Sequence, residues 1–361
     1  IKNTFLAYVY WVQVNITTFI QTNLSNSFFS KFLNKSTLYH SRKNSATIIR
    51  DVLSETSQFA KGFILNILTV ILDSIILIFL FCVILLIDIK AGLIISIFFL
   101  IIVLFFVTYF KNLVKKWGEL RQHNERERLK NIQESLGSLR EIKILGKVPV
   151  LREKFNYFNT KLFLIMRNSS LITTYPKLCI EFLLVLFVSL ILFYFLRLEY
   201  SFERIIVILG VVGACSFRLM PIITKIINSI NMIQYSKPSL DALYEYFLDN
   251  KIEDQDYEYS DNNKEIKFKN NLELENISFT YSSRDNLAVK NINLKVNSGD
   301  VIGIIGTTGS GKSTLIDLIL GLIKPMSGDI KVDNLSVLNN RPDWNKMIGY
   351  VPQNIFLLDD T

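Results

Sequence analysis

Long apolar runs separated by polar stretches dominate the first two thirds of the chain. Residues 63–87 and 92–110 are almost uninterrupted Ile, Leu, Phe and Val. A helix needs about 20 such residues to cross the hydrocarbon core of a bilayer, so each run predicts a membrane span. Residues 178–196 and 205–227 predict two more spans, and the more polar stretch 5–19 predicts part of another.

The segments between the predicted spans alternate in length and charge. Residues 88–91 and 197–204 are tight connections, whereas residues 111–177 form a long polar excursion rich in Lys and Arg. Residues 31–50 are also basic. Positive residues favour the cytoplasmic side of a membrane, so both basic segments are predicted to be cytoplasmic and both tight turns external. By the same reasoning, the chain after residue 227 emerges in the cytoplasm.

The polar excursion has a helical pattern of its own. Four apolar residues recur at three-residue spacing with charged residues between them, namely Leu136, Leu139, Ile142 and Leu145. This spacing is typical of an amphipathic helix, and residues 223–248 continue the last predicted span in the same way. Helices that run from the membrane into the cytoplasm indicate a device that transmits motion. The alternative is a packed cytoplasmic extension without a moving part.

The composition changes near residue 248 and divides the chain. We predict a transmembrane domain over residues 1–248, a polar linker over 249–270 and a soluble domain over 271–361. Residues 272–283 and 291–296 alternate apolar and polar side chains, which predicts two half-buried strands.

A short apolar run and a glycine-rich loop follow these strands. Residues 300–306 are continuously apolar after Asp300, which predicts a buried strand. This run leads directly into the loop, and residues 313–323 then predict a helix that is stopped at Lys324 and Pro325.

The loop itself, residues 306–313 with the sequence GTTGSGKS, fits the pattern G-x-x-x-x-G-K-[ST] of a phosphate-binding loop. Gly306, Gly309 and Gly311 are expected to adopt unusual φ angles and to let the backbone approach phosphates closely. Backbone N–H groups and the following helix N-terminus supply a positive field. Lys312 is predicted to reach the β- and γ-phosphates, and Ser313 to bind Mg²⁺. The predicted ATP contacts of the loop are Gly306, Thr307, Thr308, Gly309, Ser310, Gly311, Lys312, Ser313 and Thr314. A glycine-rich turn without a nucleotide is the alternative.

Two further segments flank this loop. Tyr281 ends the sequence ISFTY before it, and residues 349–361, GYVPQNIFLLDDT, follow it. Together they resemble the nucleotide-binding domain of an ATP-binding cassette (ABC) transporter, whose phosphate loop is the Walker A motif. The resemblance implies that Tyr281 stacks on adenine, and that Gln353 contacts Mg²⁺ and reports to the membrane domain. Packing of Tyr281 on its own sheet and an ordinary loop role for Gln353 are the alternatives.

The resemblance extends over the membrane half. Residues 44–59 and 134–155 look like the cytoplasmic portions of exporter-type transmembrane domains. The implied fold class is a multi-span α-helical transmembrane domain followed by an incomplete α/β P-loop NTPase domain. Short helices near residues 40–48 and 121–129 would be the coupling helices that seat on the nucleotide-binding domains. Plain charged surface on a helical extension is the alternative.

The same resemblance implies cofactors, partners and location. ATP and Mg²⁺ are the expected cofactors, and the partner is a second copy or a similar half-transporter, because the family closes two domains around two ATP molecules. A first span is expected before Ile1, and the signature sequence, the catalytic Glu and the switch His are expected after Thr361. The chain is expected to be an integral membrane protein of a bacterial inner membrane, with the ATP-binding domain in the cytoplasm.

Composition excludes other classes of protein. The formal net charge is +8, but the basic residues flank predicted spans, so they indicate a membrane surface and not a nucleic acid. The three cysteines lie in apolar runs without a CxxC pair, and the two histidines are far apart. Neither disulfides nor a zinc site are therefore predicted.

Ionisable residues within the predicted spans are candidate substrate contacts. Asp73 lies near the middle of its span, Arg218 lies within the last span, and Lys177 lies at a cytoplasmic boundary. In one interpretation, Arg218 and Lys177 line a cavity that receives an anionic lipid headgroup. In the other, Asp73 and Arg218 pair with each other or with nearby polar groups and hold helices together.

The sequence alone leaves the cargo and the activity open. REIKILG and VPQNIFLLDDT resemble exporters of lipid-linked oligosaccharides or polysaccharide, although peptide, lipid and drug exporters share much of this pattern. A membrane-tethered ATPase without transport is a second hypothesis. A P-loop phosphotransferase with a membrane anchor is disfavoured, because an anchor does not need four spans.

Overall fold

The structure is a computed structural model that describes residues 2–42, 44–87, 89–197, 202–249, 267–281 and 286–352. The chain divides into two compact units. The first comprises Ile1–Leu33 and Lys43–Glu253, and the second comprises Asn34–Arg42 and Asp254–Thr361. Most of the predicted linker, from residue 250 to residue 266, lies outside the described residues.

Long helices build the first unit. They are α1 (Lys2–Asn34), α4 (Leu65–Ile87), α5 (Ile89–Gly137), α7 (Val148–Arg197) and α8 (Phe202–Asp249). Two short helices, α3 (Ser45–Arg50) and α6 (Leu139–Ile144), belong to the same unit, whereas α2 (Thr37–Arg42) belongs to the second unit. Between α3 and α4 the backbone widens into two π-helical segments, Asp51–Glu55 and Gln58–Ile64.

Three helical stretches of the described chain are long and apolar enough to cross a membrane, namely Ser45–Leu86, Gly92–Gly137 and Val148–Leu190. They overlap the predicted spans that begin at residues 63, 92 and 178. The predicted span at 205–227 is helical within α8, but many of its side chains lie outside the described residues. That it crosses the membrane stays a prediction. The opening stretch 5–19 is helical within α1 and is not one of the three.

The four helices α4, α5, α7 and α8 pack on one another through a shared apolar core. Its buried members are Ile84, Ile95, Phe99, Ile102, Phe106, Ile180, Leu219, Ile223 and Ile227. Other large apolar residues of the same helices, such as Ile71, Phe79 and Leu86, are exposed. A helix that is apolar all round is typical of a membrane span, whose outer face contacts lipid.

The C-terminal half of α5 differs from the prediction. The predicted short helix at 121–129 is wrong, because this segment is the interior of α5, which continues unbroken to Gly137. A short helix does occur nearby, but it is α6, and the turn after it uses the positive φ of Gly146. Gly118 does not interrupt α5. A Cβ at that position would lie 2.2 Å from the carbonyl oxygen of Tyr235, so this glycine lets α5 and α8 approach closely.

The second unit contains a four-stranded antiparallel sheet in the order β2-β1-β3-β4. The strands are β1 (Asn271–Phe279), β2 (Val289–Asn297), β3 (Ser327–Val332) and β4 (Leu335–Ser336), and the helices are α9 (Lys312–Ile319) and α10 (Arg341–Met347). The predicted strands at 272–283 and 291–296 correspond to β1 and β2. Alternate residues of β1 are buried, because one face of the sheet packs on Leu318 of α9 and Trp344 of α10.

Helix α2 packs on this unit. Leu38 contacts its apolar core, and the Thr37 hydroxyl donates to the carbonyl oxygen of Leu322 at 3.0 Å. The segment near residues 40–48, predicted as one short helix, is two short helices, and of these α2 belongs to the second unit and α3 to the first.

The prediction of a buried strand at 300–306 is wrong for this structure. Residues 301–306 have no regular secondary structure, and Val301 and Ile305 are 99% and 95% exposed. A buried strand needs hydrogen-bonded neighbours, and none of the strands in the described residues pairs with this run. Its apolar sequence predicts burial, but burial requires a partner strand.

Helix α9 ends earlier than predicted. The predicted helix ran to residue 323, before Lys324 and Pro325, whereas the last helical residue is Ile319. Gly321 adopts φ +67°, and the N–H groups of Gly321 and Leu322 donate to the carbonyls of Leu318 and Asp317 at 3.0 and 2.8 Å. This is a Schellman cap, which a left-handed glycine allows and which satisfies the last carbonyls of the helix.

Candidate nucleotide-binding site

The glycine-rich loop leads into the N-terminus of α9. Gly311 is the N-cap residue and adopts φ +90°. A Cβ there would lie 2.3 Å from the carbonyl oxygen of Ala288, at the start of β2. Both the backbone conformation and the lack of space therefore require glycine, and the loop is held against the sheet. The exposed N–H groups of the first helical turn are thus aimed at a fixed place.

The other two glycines of the loop have different roles. Gly309 adopts φ +83°, as predicted, but Gly306 does not have a positive φ. A Cβ at Gly306 would lie 2.7 Å from the hydroxyl oxygen of Ser310. The prediction of an unusual φ is therefore wrong for Gly306, where glycine is favoured by the close packing of the loop on itself.

Lys312 folds back over the loop. Its ammonium group donates to the carbonyl oxygens of Gly306 and Thr307, each at 2.8 Å. The two hydrogen bonds hold a full positive charge at the mouth of the loop, beside the first N–H groups of α9. Several converging donors and a cation form an anion-binding site.

A cleft of about 830 Å³ lies in front of this loop. Its walls include the predicted contacts Tyr281, Thr308, Gly309, Ser310, Gly311, Lys312, Ser313 and Thr314. It is also lined by Asn286, Leu287 and Ala288, which were not predicted from the sequence. The signal for these three was their position directly before β2, the strand that packs beside the loop. Gly306 and Thr307 support the loop through their carbonyls and are not among the lining residues.

Tyr281 is attached to both the sheet and the loop helix. Its ring lies edge-on to Phe279 with the centroids 5.1 Å apart, and its hydroxyl is 3.1 Å from the hydroxyl of Thr314. Tyr281 therefore packs on its own sheet and also lines the cleft, so the two interpretations of this residue do not exclude each other. Thr314 is buried, and its hydroxyl is used to position Tyr281.

The described residues fit a magnesium ion that is bound mainly through phosphates. No group of three or more His, Cys, Asp or Glu side chains able to hold a metal occurs in the described part of the chain. The Ser313 hydroxyl lines the cleft and is an oxygen donor of the kind that Mg²⁺ accepts when phosphates and water supply the other ligands. Gln353, the second predicted Mg²⁺ contact, lies outside the described residues.

The candidate substrate residues lie in the first unit. Asp73 is buried on α4 and forms an ion pair with Lys225 of α8, with Nζ 3.0 Å from Oδ2. Arg218, the partner suggested by the sequence, is exposed two helical turns away on α8. Lys177 and Lys225 line one cavity of about 410 Å³. Lys225 was missed, although it lies near the end of a predicted span and one heptad after Arg218.

Comparison with known proteins gives matches over both units. The family "ABC transporter transmembrane region" matches residues 4–219, and the family "ABC transporter" matches residues 289–361. The ATP-dependent lipid A-core flippase of Wigglesworthia glossinidia brevipalpis is 23% identical over 360 residues, 98% of this chain and 59% of the flippase. The alpha-hemolysin translocation ATP-binding protein of Escherichia coli O157:H7 is 40% identical over 94 residues, 26% of this chain and 13% of that protein.

A solved structure shares the fold. It is a bacterial Atm1-family ABC exporter with ATP bound, with a TM-score of 0.70 and 15% identity over 96% of this chain and 60% of that one. The chain therefore spans less than two thirds of the length of each of these relatives.

Proposed function

Because the chain belongs to the ABC transporters, as its loop and flanking segments predict, we propose that it is the greater part of an ATP-driven exporter subunit. Its fold class is a helical transmembrane exporter domain followed by a nucleotide-binding domain with a sheet. We place the domain boundaries at residues 1–248 and 271–361, joined by a linker. The proposed location is a bacterial inner membrane, with the ATP-binding domain in the cytoplasm.

The observation that carries this proposal is the geometry of the phosphate loop. The Lys312 ammonium, the left-handed Gly309 and Gly311, and the α9 N-terminus converge on one cleft. The loop N–H groups would bind the phosphates, and Lys312 would exchange its two carbonyl acceptors for phosphate oxygens. Tyr281, at the wall of the same cleft, would bind the adenine ring. Ser313 and Gln353 would hold Mg²⁺, which neutralises charge on the β- and γ-phosphates when bound.

Helix α2 supplies a mechanical link between nucleotide and membrane. The chain leaves the first unit after Leu33, contributes α2 to the second unit, and returns at Lys43. Movement of the second unit would therefore pull on α1 and α3 at once. The Thr37–Leu322 hydrogen bond lies at the C-terminal cap of α9, so α2 is anchored to the helix that begins at the phosphate loop. We propose that α2 is a coupling helix.

The proposed partner is a second copy or a similar half-transporter. The proposed cargo is an amphiphile with an anionic headgroup, and a lipid-linked oligosaccharide or polysaccharide is the leading candidate. The 23% identity to a lipid A-core flippase over nearly the whole chain supports a lipid-anchored cargo. Arg218, Lys177 and Asp73 are the proposed contacts. A peptide, lipid or drug cargo is the alternative, and a membrane-tethered ATPase without transport is a further one.

The first experiment measures ATP binding and hydrolysis by the full transporter in nanodiscs. Lys312→Ala removes charge-assisted hydrogen bonds to phosphate and should weaken ATP binding at least about a hundredfold. Lys346→Ala is the matched control, because this lysine makes only a surface ion pair with Asp343. Binding of ATP by Lys312→Ala at wild-type affinity would refute the assignment. ATP hydrolysis without movement of any cargo in vesicles would favour the tethered ATPase.

A further inference from the structure

Polar residues from three helices of the first unit line one cavity. It has a volume of about 410 Å³ and is lined by Asn66 of α4, Lys177 of α7, and Lys225 and Asn228 of α8. Asn66 is the second residue of α4, Lys177 directly precedes a predicted span, and Lys225 lies near the cytoplasmic end of another. With the predicted topology, these residues lie at the headgroup level of the cytoplasmic leaflet.

The charges of the cavity do not cancel. Lys225 contacts the buried carboxylate of Asp73, with Nζ 3.0 Å from Oδ2 and 3.3 Å from Oδ1. The Lys225 side chain is nevertheless 61% exposed, whereas that of Asp73 is 9% exposed. Lys225 is thus anchored by Asp73 and keeps an accessible charge. Lys177 is exposed and adds a second cation, so the cavity and its carboxylate carry a net charge of about +1 at neutral pH.

A second observation points to a ligand. The Asn228 side-chain oxygen is buried and has no hydrogen-bond partner within the described residues. Buried acceptors are normally satisfied, so a ligand hydroxyl that donates to Asn228 would complete this site. Met220 and Met232 line the same cavity and provide an adaptable apolar wall. The cavity therefore combines a place for one negative charge, an acceptor for a hydroxyl and apolar surface.

We infer that this cavity is the headgroup subsite for a lipid that carries one phosphodiester and a hydroxyl group. The inference rests on the proposed function, because it makes the cavity the place where cargo enters from the cytoplasmic leaflet. It narrows the cargo to amphiphiles linked through a single phosphate. Asp73 tunes the site, since it holds Lys225 in place and compensates one of the two positive charges.

The test measures lipid binding to the full transporter by native mass spectrometry. Phosphatidylglycerol is the probe, because it has one phosphodiester charge and headgroup hydroxyls. Phosphatidylcholine and water-soluble glycerophosphoglycerol are compared with it. Lys177→Gln should weaken phosphatidylglycerol binding about tenfold, since one charge-assisted contact is lost. Lys237→Gln is the matched control, because Lys237 is an exposed lysine of α8 that does not line the cavity.

Two further variants test the site without leaving a buried carboxylate unpaired. Lys225→Gln alone leaves the buried Asp73 carboxylate unpaired, so it is made together with Asp73→Asn. This double variant keeps the net charge of about +1 but removes the Lys225 contact to phosphate, so it should also lose about tenfold in affinity. Asp73→Asn alone frees Lys225 and should tighten phosphatidylglycerol binding about tenfold. Unchanged binding in both Lys177→Gln and the double variant overturns the inference and leaves two lysines that only extend to the membrane surface.

The remaining outcomes separate the possible ligands and the two proposals. If glycerophosphoglycerol competes as well as the lipid does, the site takes a free phosphodiester and the lipid assignment is overturned. If a polyprenyl pyrophosphate binds more tightly than phosphatidylglycerol, the match to a single charge is overturned. ATP hydrolysis in the same nanodiscs is measured independently of lipid binding. If Lys312→Ala loses hydrolysis and retains lipid binding, both proposals are supported. If Lys312→Ala binds ATP at wild-type affinity, only the proposed function is refuted.

Discussion

Glu55 and Arg121 form a buried ionic junction that can be tested quantitatively. Glu55, in the first π-helical segment, is 0% exposed, and Arg121 of α5 is 5% exposed. The Arg121 guanidinium donates to Glu55 Oε2 at 2.9 Å, to the Ser239 hydroxyl of α8 at 3.0 Å, and to Glu125 at 2.9 Å. Three segments that are remote in sequence thus meet at one guanidinium. All three residues lie outside the predicted spans, Glu55 before residue 63, Arg121 after residue 110 and Ser239 after residue 227.

Removal of one partner should be costly, whereas removal of both should cost less. Glu55→Ala leaves Arg121 with the carboxylate of Glu125 and the buried Arg50 with that of Asp51, and should lower the free energy of unfolding by about 3–5 kcal/mol. Ser239→Ala removes one hydrogen bond to a charged group and should cost about 1.5 kcal/mol. The double variant Glu55→Leu/Arg121→Met removes the buried pair but leaves Arg50 with Asp51, and Glu125 without Arg121, so it should recover part of the stability that Glu55→Ala loses.

The assay is unfolding by titration with sodium dodecyl sulfate in mixed micelles, followed by circular dichroism. The control is Glu119→Ala, which breaks an exposed pair with Lys115 on the same helix and should cost about 0.5 kcal/mol at most. If Glu55→Ala costs no more than Glu119→Ala, the junction does not stabilise the bundle. If the double variant is as unstable as the single one, the unpaired charge of Arg121 is not the cause of the loss.

Two further changes follow from the structure. Gly118→Ala would place a Cβ 2.2 Å from a backbone carbonyl of α8 and should destabilise the first unit by about 1–3 kcal/mol. Gly137→Ala is the control, because a Cβ there meets nothing within 4 Å, and it should be neutral in the same detergent titration. Backbone N–H groups of residues 269–271 donate to Asp333 and hold the pKa of its carboxyl below the usual value. The folded pKa is lower than the unfolded one, so this stabilisation is present above about pH 4 and is lost as the pH falls through the folded pKa. Between pH 6 and pH 3, the thermal unfolding temperature of the second unit should therefore fall less in Asp333→Asn than in the wild type. An identical pH dependence of the two proteins would contradict a stabilising role for the Asp333 carboxylate.

The features that could be predicted from sequence are those set by neighbours along the chain. Apolar runs beginning at residues 63, 92 and 178 predicted membrane helices, because every backbone group in a bilayer must be paired within its own segment. The GTTGSGKS pattern predicted a loop with left-handed glycines before a helix, and Gly309 and Gly311 have that geometry. Alternation over 272–283 and 291–296 predicted β1 and β2.

The features that the sequence left open depend on which segments pack together. Asp73 has a charged partner on α8, but only helix packing selects Lys225 over Arg218. The run at 301–305 is apolar enough for a buried strand, yet without a neighbouring strand it is exposed. Nothing along the sequence requires glycine at position 118, whereas in the structure a Cβ there would lie 2.2 Å from the carbonyl oxygen of Tyr235. Periodicity and φ requirements are local and can be read along the chain, whereas ion pairs, burial and close approach arise between residues that only the tertiary structure brings together.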